Sequence, residues 1–178
     1  AALVIADVGL SQLRSRQELS LSPMGQPLPD IRTLGHDELS AAMLEMGEKP
    51  FRTKQVSEWL WTHAAGSFED MTSLGKDLRA KLAKSFTLKR IDQIEAQHSK
   101  DGTVKCAFQI DGDTHRVVEG VLIPTTKRLT ACISSQVGCS LACKFCATGR
   151  LKLLKNLTAG EMYDQVEMLN TLAHQQHG

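Results

Sequence analysis

Aromatic side chains are scarce, at 4% of 178 residues. Any core must therefore be aliphatic. No stretch approaches the ~20 consecutive apolar residues that a membrane-crossing helix needs. A spanning protein is excluded, and no membrane partner is expected. No basic segment leads the apolar start Ala1–Leu10, and Asp7 interrupts it, so no signal peptide is read there. No internal repeat is visible. The 42% hydrophobic and 23% charged fractions exclude disorder over the whole length. The length suits one ordinary domain or two small ones.

Acidic residues are missing from one region. The 41 residues between Glu119 and Glu161 hold no Asp or Glu. They carry Lys127, Arg128, Lys144, Arg150, Lys152 and Lys155, a local charge of +6, so the rest of the chain carries 1 − 6 = −5. Such a basic stretch suits an anionic ligand or nucleic acid, or a solvated face. Cysteines number five, an odd count, and Cys139, Cys143 and Cys146 fall within eight residues. That pattern fits a reducing compartment and a metal or catalytic role better than a disulfide framework.

Pro23, Pro27 and Pro29 mark a linker, and residues 1–30 read as a disordered leader. Met24 is a candidate internal start. From Thr33 the apolar period is helical. Leu39, Ala42, Met43 and Met46 lie on one face, ended by Gly47 and Pro50. A second helix is expected over about 53–63, carrying Val56, Trp59, Leu60 and His63 on one side. A third is expected over about 73–85, with Leu74, Leu78 and Leu82 in line. Short loops imply a small bundle. Trp59 and Trp61, two apart, cannot share a face; helix packing is the reading for both, with stacking on a base by an exposed one as the alternative.

The period then changes to 2. Strands are expected over 91–98, 103–110 and 115–123, with turns at Ser99–Gly102 and Asp111-Gly112-Asp113. Leu129–Ser134 reads as a fourth, more buried strand, with Cys132 as a small core residue. Thr158-Ala159-Gly160-Glu161 has capping-box form, followed by Met162, Val166 and Leu169 on one helical face. The fold class is α+β then α/β, the last unit being strand, loop and helix.

The loop Cys139-x3-Cys143-x2-Cys146 carries the chemistry. Three thiolates on one short loop suit zinc or an iron–sulfur cluster. A structural zinc site needs a fourth protein ligand, from Cys132 or a histidine. A cubane held by three cysteines leaves one iron open to a substrate or cofactor. Small and polar neighbours let backbone N–H groups approach the sulfurs.

This spacing, with Phe145 before the last cysteine, resembles the radical S-adenosylmethionine (SAM) superfamily. The context Ala131-Cys132-Ile133-Ser134-Ser135-Gln136-Val137-Gly138-Cys139, then Lys144-Phe145-Cys146-Ala147-Thr148-Gly149 and Asn156-Leu157-Thr158, resembles the RlmN/Cfr group of RNA methyltransferases. Gly47-Glu48-Lys49-Pro50-Phe51-Arg52, Gln55-Val56, Trp59-Leu60-Trp61, Val118-Glu119-Gly120-Val121 and Ile123-Pro124 place it nearest the RlmN branch. The resemblance covers roughly residues 31–170.

It implies methylation of adenine C2 in 23S rRNA and certain tRNAs, with a 4Fe-4S cluster and SAM as cofactors. It implies Cys139, Cys143 and Cys146 as cluster ligands, Glu119 as the catalytic proton acceptor, and Phe145 beside the cluster and the SAM adenine. It implies a helical accessory domain over 31–88, an antiparallel meander over 89–128, and over 129–178 the start of a truncated radical SAM (β/α) barrel. An external, flavodoxin-like electron donor, a cytoplasmic location and a monomer are expected. The chain stops before the family's Gly-Glu-Pro type segment and its methyl-carrying cysteine, so the expectation is an N-terminal fragment that does not methylate RNA itself. Neither Cys106 nor Cys132 is promoted to that role. The alternative is a non-catalytic RNA-binding module with structural zinc.

Overall fold

The computed structural model describes residues 27–141 and 143–177. The expected leader and the internal start Met24 fall mostly outside them. Its last residues do pack: Leu28 is buried, and Asp30 Oδ1 accepts from Arg32 N at 2.9 Å, capping the 3-10 turn Ile31–Thr33. Ile31 N donates to Thr87 O, and Thr87 N to Pro29 O, both at 2.9 Å. The start of the helical unit is thereby fastened to its end.

That unit has three helices, α1 (His36–Glu45), α2 (Phe51–Trp61) and α3 (Lys76–Ser85). Asp37 and Glu38 sit in the first turn of α1, where the helix dipole favours anions. Gly35 N also donates to Glu38 Oε2 at 2.7 Å. α2 begins two residues earlier than the periodicity suggests, because Pro50 caps it from a helical conformation and supplies no N–H that needs a partner. α3 begins three residues later than expected, because Ser73–Gly75 form the turn and Gly75 is the cap. Leu39, Met43, Val56, Leu60, Leu74, Leu78 and Leu82 interlock with Phe68 and Met71 in one core. Each buried Leu of this kind contributes ~1.5–3 kcal/mol. Both tryptophans pack: Trp59 Nε1 donates to Ser73 Oγ at 2.7 Å, and Trp61 meets Tyr163 edge-on at 5.4 Å.

The second unit is a four-stranded antiparallel sheet, ordered β1 (Asp92–His98), β2 (Val104–Ile110), β3 (Asp113–Pro124), β4 (Leu129–Cys132). The β2–β3 turn takes positive φ at Asp111 and Gly112, as the Asp-Gly signal demands. Along β2, Val104, Cys106, Phe108 and Ile110 are buried while Lys105, Ala107 and Gln109 are half-buried. Val118 and Leu122 of β3 continue the buried face. Burial pushes the Cys106 thiol above its usual range. Helix α4 (Ala159–His177) covers this face with Leu169 and Ala173.

Two expectations are corrected. The strand after Arg128 is neither long nor buried: it ends at Cys132, and all four residues are exposed. It pairs with β3 as the sheet's last strand, so Cys132 is a surface thiol and not a core residue. On α4 the buried stripe runs through Asp164, Gln165, Leu169 and Ala173, leaving Val166 exposed. Polar side chains share this face because they have partners there. Asp164 Oδ1 accepts from Arg32 Nη1 at 2.8 Å and Arg90 Nε at 3.2 Å, and Oδ2 from Ile91 N at 3.2 Å. Burial pushes the Asp164 carboxyl up, opposed by the two guanidiniums. This cluster ties α4 to the helical unit.

Candidate functional site

The cysteine loop is closed at its base by two short antiparallel strands, β5 (Gln136–Val137) and β6 (Lys155–Asn156). Leu154 N donates to Val137 O and Leu157 N to Ser135 O, both at 2.9 Å. Immediately inside, Gly138 has φ +77°, and a Cβ there would lie 2.0 Å from Lys152 O. Only glycine permits both the left-handed turn and that approach. Gly149 closes the far side: a Cβ would lie 2.7 Å from Cys143 O and 2.8 Å from Cys143 N. The loop is thus folded back on itself by backbone contacts, with little apolar burial.

All three cysteines are half-buried on this loop. Cys146 N donates to Cys143 O at 3.1 Å, a tight turn that carries the second and third thiols. Leu141 N points at Cys139 Sγ at 3.4 Å, a backbone donor of the kind that stabilises thiolate. Phe145 stands 94% exposed on the rim and Leu141 77%. A cleft of about 330 Å³ runs past Cys139, Ser140 and Gly149 to Leu153. Among the described residues, no three His, Cys, Asp or Glu side chains converge at metal-binding distance. The donor chemistry nonetheless fits a thiophilic centre: three soft ligands with an N–H directed at one sulfur.

Glu119 lies on the face of the sheet that α4 does not cover. Its side chain is 52% exposed, and Lys105 Nζ approaches Oε1 at 3.1 Å. Val121 follows it on the same strand face, and Cys132 is registered opposite Val121. The sheet thereby presents Glu119, Lys105 and Cys132 on one solvent-facing side. Ser134 Oγ donates to the Glu119 carbonyl at 2.8 Å, connecting this strand to the segment that enters the loop.

Of the six basic residues singled out, Lys127, Arg128, Lys144, Arg150 and Lys152 are exposed. Lys155 is not a free contact. Its Nζ lies 2.7 Å from Asp111 Oδ2 and 2.6 Å from Glu161 Oε1, joining the β2–β3 turn to the start of α4. Glu161 also completes the capping box, accepting from Thr158 N at 2.7 Å while its own N–H reaches Thr158 Oγ1 at 3.2 Å. Sequence reasoning missed Lys105, Ser134 and Gln165. Lys105 pairs with Glu119 through sheet register. Gln165 carried one faint signal, an amide on the helix stripe that also holds Leu169.

Residues 30–88 match the family described as ribosomal RNA large subunit methyltransferase N-terminal domain. The fold is similar to the crystal structure of a radical SAM methyltransferase from Sphaerobacter thermophilus, with a TM-score of 0.70 and 34% identity over 83% of this chain and 43% of that one. Among curated relatives, the chain is 52% identical over 138 residues to the probable dual-specificity RNA methyltransferase RlmN of Flavobacterium johnsoniae, covering 77% of this chain and 39% of that protein. It is 48% identical over 148 residues to the probable RlmN of Cytophaga hutchinsonii, covering 83% and 40%. The chain belongs to the RlmN group of radical SAM methyltransferases. It spans about two fifths of the length of these relatives.

Proposed function

We propose that this chain contributes the cluster loop and the accessory domain of an enzyme that methylates adenine C2 in 23S rRNA and tRNA. The observation that carries the reading is the loop itself. Its three cysteines occur at C-x3-C-x2-C spacing, folded between Gly138 and Gly149, in a chain whose relatives are named RNA methyltransferases. Cys139, Cys143 and Cys146 would hold a 4Fe-4S cluster, with Phe145 beside it for the SAM adenine. When bound, such a cluster supplies the electron that cleaves SAM.

The chain's own residues supply the rest. The Glu119 carboxylate, held at Oε1 by Lys105, faces solvent on the sheet and takes the proton leaving the substrate base. Lys127, Arg128, Lys144, Arg150 and Lys152 meet RNA phosphates, a sequence-independent attraction that weakens with salt. β4, the cysteine loop and α4 form the opening of a (β/α) barrel, so that 31–88, 89–128 and 129–178 are the functional units. A flavodoxin-like donor, a cytoplasmic setting and a monomeric state complete the reading.

The test is anaerobic reconstitution with iron and sulfide, followed by metal analysis and electron paramagnetic resonance (EPR) with and without SAM. About four irons per chain, and a signal that changes on adding SAM, are expected from a cubane with one open iron. Cys143→Ser removes most of the iron. A colourless protein with one zinc per chain would instead establish the RNA-binding module.

A further inference from the structure

Gln165 lies in the interior of α4 at 0% exposure. A buried primary amide must find partners for its donors and acceptor or destabilise the fold. Oε1 accepts from Ser134 N at 3.0 Å, and Nε2 donates to Ser134 O at 3.0 Å and to Glu161 O at 3.2 Å. This donor–acceptor pair gives Ser134 the two backbone bonds that a neighbouring strand would provide. It does so where no strand is available, after β4 ends at Cys132 and before β5 begins at Gln136. Ser134 Oγ then reaches the Glu119 carbonyl, and Ser135 O accepts from Leu157 N beside the loop base. One side chain therefore sits between the strand of Glu119 and the entry to the cysteine loop.

We propose that Gln165 is a positioning residue. By holding both backbone groups of Ser134, it sets the cysteine loop 139–146 against the strand that carries Glu119. The proposal rests on the reading of that loop as the cluster site. A side chain of equal volume but no amide would fill the space and leave Ser134 N–H and C=O unpaired, releasing the loop entry while α1, α2 and α3 stay intact.

The experiment compares the 178-residue chain with Gln165→Met, which keeps the volume, and Gln165→Glu, which keeps the acceptor for Ser134 N–H and loses the donor. Amide hydrogen exchange is read over residues 133–146 and over α2 and α3, first without metal. After anaerobic reconstitution, iron content and the EPR line shape are recorded with and without SAM.

In Gln165→Met, exchange over 134–139 accelerates at least about tenfold, the equivalent of losing one hydrogen bond of ordinary strength, while α2 and α3 exchange as before. Its EPR signal broadens into more than one species. Gln165→Glu accelerates exchange at least as much, because its second carboxylate oxygen faces the Ser134 and Glu161 carbonyls, both acceptors. Unchanged exchange and an unchanged line shape in Gln165→Met would overturn the proposal. So would loss of α1, α2 and α3 in step with the loop in both variants, since Gln165 would then be a general core residue. If the wild-type chain binds no iron, the reading of the cluster site fails, and the exchange data still decide whether Gln165 holds the loop entry.

Discussion

Between Ile31 and Phe86, twelve apolar side chains are shut away from water at 9% exposure or less. Between Gly138 and Leu154, Leu141, Phe145, Leu151 and Leu154 stand 59–94% exposed. The helical unit is held by burial, so its geometry follows from which residues are apolar. The cysteine loop is held by a two-strand base, two glycines in close contact with backbone, and a few N–H to O bonds. Stability is therefore concentrated in the first region, and the three cysteines proposed as cluster ligands lie in the second. Substitutions in the two should separate folding from function.

The largest effect on folding is expected from Leu82→Ala. Leu82 is fully buried, and truncation leaves a cavity costing ~2–5 kcal/mol, seen as a lowered denaturant midpoint with an unchanged slope. An effect below ~1 kcal/mol would mean that the helical core is not what holds that unit. Next comes Gly138→Ala, which places a Cβ 2.0 Å from Lys152 O in a left-handed conformation. The local cost is ~1–3 kcal/mol. Reconstituted iron should fall severalfold while the melting of α1, α2 and α3 is retained.

Lys155→Met is expected to cost ~1–2 kcal/mol, because it leaves the carboxylates of Asp111 and Glu161 facing each other without their shared cation. Its pH behaviour sharpens the test. Burial raises the Asp111 carboxyl, but the bonds from Lys155 and Arg116 outweigh it and hold the group below its ordinary 3.8. That contribution is present above 3.8 and is lost as pH falls through the folded-state value. Burial lowers Lys155, but Asp111 and Glu161 outweigh it and hold the ammonium above 10.5. That contribution is present below 10.5 and is lost as pH rises through the folded-state value. The stability gap between wild type and Lys155→Met should be widest between those limits and close outside them. A gap constant from pH 3 to 11 would remove the ion cluster as its cause.

The smallest effect on folding is expected from Phe145→Ala, within ~0.5 kcal/mol, since the ring is 94% exposed. Its effect should appear instead in the SAM-dependent change of the EPR signal. A large loss of stability would erase the distinction between the two regions.

Helices, strands 103–110 and 115–123, both hairpin turns and the Thr158–Glu161 capping box were legible in the residues. Each rests on a local rule, such as apolar period, turn chemistry or a cap, that neighbours in the chain can express alone. The register of β4 was not, and its burial was misread. Four apolar or small residues look alike whether a strand lies under a helix or at a sheet edge.

The chemistry divides in the same way. Spacing along seventeen residues, from Gly138 to Leu154, is enough to put three thiols on one loop and to mark glycines at its ends. Which carboxylate meets Lys105, where Cys132 faces, and which amide holds Ser134 were decided only by tertiary structure. Those contacts join positions 11 to 31 residues apart through sheet register and helix packing. The amino-acid sequence by itself determined most of the elements and the spacing of the three cysteines. The tertiary structure decided which faces are buried and what holds the loop, because burial depends on what packs against a residue and not on the residue alone.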